Sequence, residues 1–107
     1  MHTRRPLVVL VHGLLGTPLK HSSVESRLSP THAIYNHGYS SRDDTVDAHA
    51  SALLRAVRQR VRAADPRPPV VHFVTHSLGG VVLHRAFRHG LGAVLPGAGH
   101  GTRCCLL

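Results

Sequence analysis

The chain has 107 residues, Lys+Arg 13 against Asp+Glu 5, a formal net charge of +8, and 42% apolar but only 4% aromatic residues. That length fits one small domain. The apolar share excludes a disordered charged chain, two cysteines exclude a disulfide-built scaffold, and no apolar run approaches the ~20 residues that cross a bilayer.

No charged-then-apolar leader with a small-residue cleavage site opens the sequence, so a cytoplasmic chain is the default expectation. Apart from Lys20 the positive residues are all Arg, alongside His 11, Gly 10 and Pro 7, which reads as a bias of the coding sequence as much as a binding surface. Arg55, Arg58, Arg60 and Arg62 are the dense basic set. They lack interleaved aromatics, so they read as a solvated helix face and speak against a nucleic-acid footprint.

Leu7 to Val11 is apolar at every position, as expected of a strand buried on both faces of a parallel sheet. His12-Gly13 and a Gly16/Pro18 turn region end it. Ser22 to Leu28 reads as a short helix, with Ser22 or Ser23 as cap and Glu25 in its first turn. His32 to Tyr35 reads as a second short strand, closed by Asn36, His37 and Gly38. A long helix is predicted from about Thr45 to Ala64, capped by Asp44 or Thr45, with Asp47 in its first turn. Val46, Ala50, Leu53, Leu54, Val57 and Val61 form its apolar stripe, and Asp65-Pro66 stops it. Val70 to Val74 is the third strand. It runs straight into Thr75-His76-Ser77-Leu78-Gly79-Gly80, and Val81 to Phe87 carry a helical pattern that Gly90 closes. From 90 to 107 the composition turns to Gly, Ala, Pro and Leu without period, and an irregular tail is expected. Helices alternating with buried strands predict an α/β fold, a parallel sheet in a three-layer arrangement with helices on both faces.

The chemistry centres on Ser77. A serine at a sharp strand-to-helix turn stands above the sheet edge, and small residues on either side let the backbones close up. Gly79 meets the downstream requirement; Thr75, small but β-branched, takes the upstream one. The same spacing also suits a plain helix cap. The loop after the first strand, His12-Gly13-Leu14-Leu15-Gly16, adds context. Backbone N–H groups of Leu14 and Leu78 aimed at the serine would make an oxyanion hole.

With these two segments the sequence resembles the α/β-hydrolase superfamily, lipase/esterase-like members, over residues 6–88. The resemblance rests on Leu7 to Gly16, on Val71 to Val82 and on the helix between them. It implies a truncated α/β-hydrolase fold in which strands 32–36 and 70–75 flank strand 7–11. It implies that Ser77 attacks carboxylic esters by nucleophilic acyl transfer, with Leu14 and Leu78 as oxyanion donors and His12, Gly13, His76 and Gly79 supporting the motif. In this family the acid and the histidine follow the serine. Residues 78–107 contain no Asp or Glu, and His84 and His89 lie along the helix that starts at Ser77, leaving His100 as the one later candidate base. Residues 1–107 therefore read as a single partial domain, the N-terminal half of a hydrolase with an incomplete triad. The alternative is a non-catalytic remnant of the fold that binds a partner or a lipid-like ligand. A small-molecule or lipid ester is the implied substrate, with no cofactor.

No His set has a convincing metal-ligand spacing. Cys104-Cys105-Leu106-Leu107 matches a C-a-a-X pattern, so membrane attachment is expected only through prenylation of Cys104. The oligomeric state is open.

Overall fold

The computed structural model describes residues 4–13, 22–39 and 44–106. The elements are β1 (Leu7–Val11), α1 (Ser22–Leu28), β2 (Ala33–His37), α2 (Val46–Ala63), β3 (Val71–Thr75), α3 (Leu78–Arg88), α4 (Leu91–Val94), a 3-10 turn at Pro96–Gly99 and β4 (Cys104–Leu106). The four strands form one all-parallel sheet in the order β2-β1-β3-β4. This is an α/β fold compatible with a truncated α/β-hydrolase, with the first strand flanked as the sequence predicts.

The sheet order fixes the layers. From β1 the chain steps one way to β2, then back past β1 to β3. Two right-handed crossovers in opposite directions put their helices on opposite faces. Thus α1, which packs against β2, lies on one face, and α2 on the other. The step from β3 to β4 continues the same way, so α3 joins α2, and the two helices pack together.

Burial follows the strand alternation. Leu7, Val9 and Val11 face α2 and α3 and share one core with Leu53, Val57, Phe73 and Val82. Val8 and Leu10 point to the α1 face and are buried as well, so β1 is covered on both sides. Each fully buried Val, Leu or Phe contributes roughly 1.5–3 kcal/mol against the chain entropy. Thr45 caps α2, its Oγ1 accepting from the Ala48 N–H at 3.1 Å, and Asp47 adds a negative charge to the first turn. Along α2 the predicted Ala50, Leu53, Val57 and Val61 are buried, Val46 and Leu54 are half-buried against the core, and His49 joins the buried face; Arg60 lies outside it with its guanidinium 4.3 Å from the centre of the Tyr35 ring.

Two expectations need correction. The second strand runs Ala33–His37, one or two residues further than its apolar letters suggest, because an edge strand is only half buried and its ladder, not its hydropathy, sets its end. The segment after Gly90 is not irregular. Leu91 and Leu95 are buried in the core, and the chain returns as β4 alongside Phe73–Thr75, covering the outer side of β3. Cys104 lies in that strand, opposite Phe73, and Cys104 and Cys105 are free thiols. The C-a-a-X letters are thus held in the sheet as far as Leu106.

Candidate active site

Strand β3 ends at Thr75, and the backbone turns within two residues into α3. Ser77 makes that turn with φ 53° and ψ −118°, one of two non-glycine residues with positive φ among the described residues. A serine capping a helix in the usual way has extended backbone and accepts an N–H from the first turn. Ser77 does neither: its side chain makes no capping hydrogen bond, and the residue is exposed. A β-carbon is held in a costly backbone region, which leaves the hydroxyl uncommitted at the C-terminal edge of the sheet.

The turn after β1 is pressed against this bend. The His76 N–H donates to the Val11 carbonyl at 3.1 Å, carrying the β1–β3 ladder one step beyond Thr75. A β-carbon on Gly13 would stand 2.7 Å from the His76 carbonyl oxygen and 3.0 Å from Ser77 Cβ. One on Gly79 would stand 2.4 Å from the Val11 carbonyl oxygen and 2.7 Å from that of His12. Each turn therefore needs a glycine to admit the other. At Thr75 the side chain is fully buried, and its Oγ1 has no hydrogen-bond partner among the described residues.

Leu78 opens α3, and its N–H has no acceptor among the described residues, whereas the next two N–H groups are taken by the His76 and Ser77 carbonyls. A free amide beside an exposed hydroxyl is what charge developing on a carbonyl oxygen requires. Leu14 lies outside the described residues. His12 is buried: its Nδ1 lies 2.9 Å from the Gly13 carbonyl oxygen, and its Nε2 accepts from the Tyr39 N–H at 3.4 Å. With both nitrogens engaged, it shapes the turn. His76 is exposed next to Ser77.

The histidines that follow Ser77 are not brought to it. His89 is ~18 Å along α3 at ~1.5 Å per residue and His84 ~10 Å. His89 does meet a carboxylate, with Nε2 3.0 Å from Asp47 Oδ1, and Arg85 binds the same oxygen at 2.8 Å. Hydrogen bonds from His89 and Arg85 hold the Asp47 carboxyl below the usual range. These exposed contacts tie the first turn of α2 to the last turn of α3. His100 precedes β4, and its neighbour Gly101 packs near Val70, at the start of β3. Because β4 runs parallel to β3, His100 sits at the opposite end of the sheet from Ser77, a strand length of ~17 Å away, so it is no base for Ser77 here.

A cavity of about 430 Å³, lined by Arg5, Leu7, Ile34, Arg60 and Pro66, opens at the N-terminal ends of the strands.

Sequence reasoning missed an aromatic cluster behind the β1 turn. Tyr39 stacks on His12 with ring centres 4.2 Å apart and contacts His49 at 4.7 Å and His37 at 6.0 Å. His37 Nδ1 lies 2.7 Å from the Tyr35 hydroxyl, while the Nε2 atoms of His37 and His49 are buried without hydrogen-bond partners among the described residues. Burial, then the neighbouring His12 and His49, push the His37 pKa down to about 4. The only signal in the sequence was two tyrosines and a histidine crowded around the end of β2.

Comparison with known proteins places the chain in a family. The family model described as "Putative serine esterase (DUF676)" matches residues 2–90, well over half of the chain. No curated protein and no solved structure gives a significant match.

Proposed function

The chain belongs to this serine esterase family, and on that premise we propose that Ser77 is its nucleophile and carboxylic esters, lipid-like ones included, its substrates. Ser77 Oγ bonds to the ester carbonyl carbon as its proton passes to a base. The carbonyl oxygen takes up negative charge facing the Leu78 and Leu14 N–H groups. Collapse breaks the bond to the alkoxy oxygen, which leaves as the alcohol with a proton returned by the base. Water then cleaves the acyl-serine to the carboxylic acid.

The observation that carries this reading is the positive-φ bend at Ser77 interlocked with the Gly13 turn. Position and the Leu78 donor come from the described residues, whereas a base does not: no described side chain hydrogen-bonds to the Ser77 hydroxyl. That observation favours, as second reading, a fold remnant that binds a lipid-like ligand without turnover.

A fluorophosphonate probe separates the two. Its phosphorus takes the serine oxygen and loses fluoride, so it reports an activated hydroxyl. Labelling of the folded wild type at Ser77, absent in Ser77→Ala, supports the esterase. Folded protein left unlabelled, yet retaining a fatty-acyl ligand, supports the remnant.

A further inference from the structure

We propose that Tyr39 is the positioning residue for the turn that faces Ser77, gripping His12 from the ring and from the backbone at once. The use of that turn in ester cleavage rests on the function proposed above; the grip itself does not.

Three contacts converge on one residue. The Tyr39 hydroxyl donates to the His12 carbonyl oxygen at 2.7 Å. The Tyr39 N–H donates to His12 Nε2, and the two rings stack with 17° between their planes. The His12 carbonyl is also one of the two that Gly79 approaches from the serine side, with that of Val11. It therefore sits between the elbow and the tyrosine, and the peptide that follows it, through Gly13, leads to the predicted oxyanion donor. Without the phenol, that carbonyl keeps no hydrogen-bond donor among the described residues.

The phenol is suited to the task. Partial burial raises its pKa above the usual tyrosine value, so it remains a donor throughout the neutral range. Its ring is immobilised by His12, His37 and His49. The grip also dictates a protonation state. A carbonyl oxygen only accepts, so His12 Nδ1 carries the proton towards Gly13 O; an amide only donates, so Nε2 is bare. One neutral tautomer satisfies both.

Two measurements test this. On the wild type, imidazole ¹⁵N shifts should show His12 protonated at Nδ1 and bare at Nε2 at neutral pH; the reverse tautomer overturns the proposal. In Tyr39→Phe, which keeps the ring and loses the hydroxyl, amide exchange at Gly13 should quicken about fivefold or more, the scale of one hydrogen bond, while the β1 and β3 amides stay protected. Unchanged exchange at Gly13 overturns it. Fluorophosphonate labelling of Ser77 should slow by a similar factor in the same variant. Faster exchange with an unlabelled wild type upholds the grip and defeats the esterase reading instead. Tyr39→Trp provides a second variant with a stacking ring and no hydroxyl. Its Gly13 exchange should match that of Tyr39→Phe, and wild-type protection in it counts against the phenol.

Discussion

Replacing Ser77 with glycine should give a more stable protein than replacing it with alanine, although both remove the hydroxyl. At φ 53° and ψ −118° a residue with a β-carbon is held in a region that costs roughly 1–3 kcal/mol, and glycine is spared that cost. Against this, glycine loses about 0.4–1 kcal/mol more in chain entropy on folding than alanine does. The balance is about 1–2 kcal/mol in favour of Ser77→Gly. Neither change removes a hydrogen bond made by the side chain, because Ser77 makes none as a cap. Urea unfolding of the two variants, followed by far-UV circular dichroism, measures the difference directly. At about 4–8 °C per kcal/mol for a domain of this size, thermal melts should differ by several degrees. Alanine equal to or more stable than glycine would refute the strained bend and, with it, the argument that the site is built rather than incidental.

The glycine at the elbow and the buried His37 each give a further measurable outcome. Gly79→Ala puts a methyl group 2.4 Å from the Val11 carbonyl oxygen; backbone cannot yield as a flexible side chain does, so a loss of about 3 kcal/mol is expected, and a Gly79→Ala protein that melts like the wild type would show that the turns do not meet. His37 has its pKa lowered from 6.5 to about 4 in the fold, so the unfolded chain takes up the proton first and stability falls as pH drops from about 6.5 through 4. By linkage the wild type should lose roughly 2–3 kcal/mol more than His37→Gln between pH 7.5 and 4.5, and parallel stability curves for the two proteins would contradict a buried neutral imidazole.

What could be read from the letters and what could not divide along physical lines. Strand β1 was legible because a strand covered on both faces needs no polar positions, so Leu7 to Val11 stands out as an unbroken run; β3 was legible as the β-branched and aromatic run Val70 to Val74, whose one polar residue, His72, lies on its half-buried face. Helix α2 was legible because a surface helix over a core must show its stripe. The bend at Ser77 was legible as a strand meeting a helix through small residues, and the structure adds the positive φ that distinguishes it from a cap. Strand β4 was hidden because three exposed residues carry no period, and its place depends on the edge that β3 offers. Residues 91–95 were hidden too, since Gly and Ala around two leucines give no stripe although both leucines are buried. The contact of Tyr39 with His12, His37 and His49 needs the parallel register that sets Val11 opposite His37 and the rotation of α2 that turns His49 inward, neither of which is a local property.

The interlock of Gly13 with the bend at Ser77, and of Gly79 with the carbonyls of Val11 and His12, ties together segments separated by most of the intervening chain. Neither loop has a reason to take its shape until the other has arrived. A ribosome-bound or partly denatured chain would carry the same serine as an ordinary alcohol, so chemical reactivity at position 77 would report that the two halves had docked. For the same reason evolutionary drift is constrained in pairs: enlarging one glycine is tolerated only if the opposing backbone withdraws, and withdrawal would dismantle the spot it was meant to preserve.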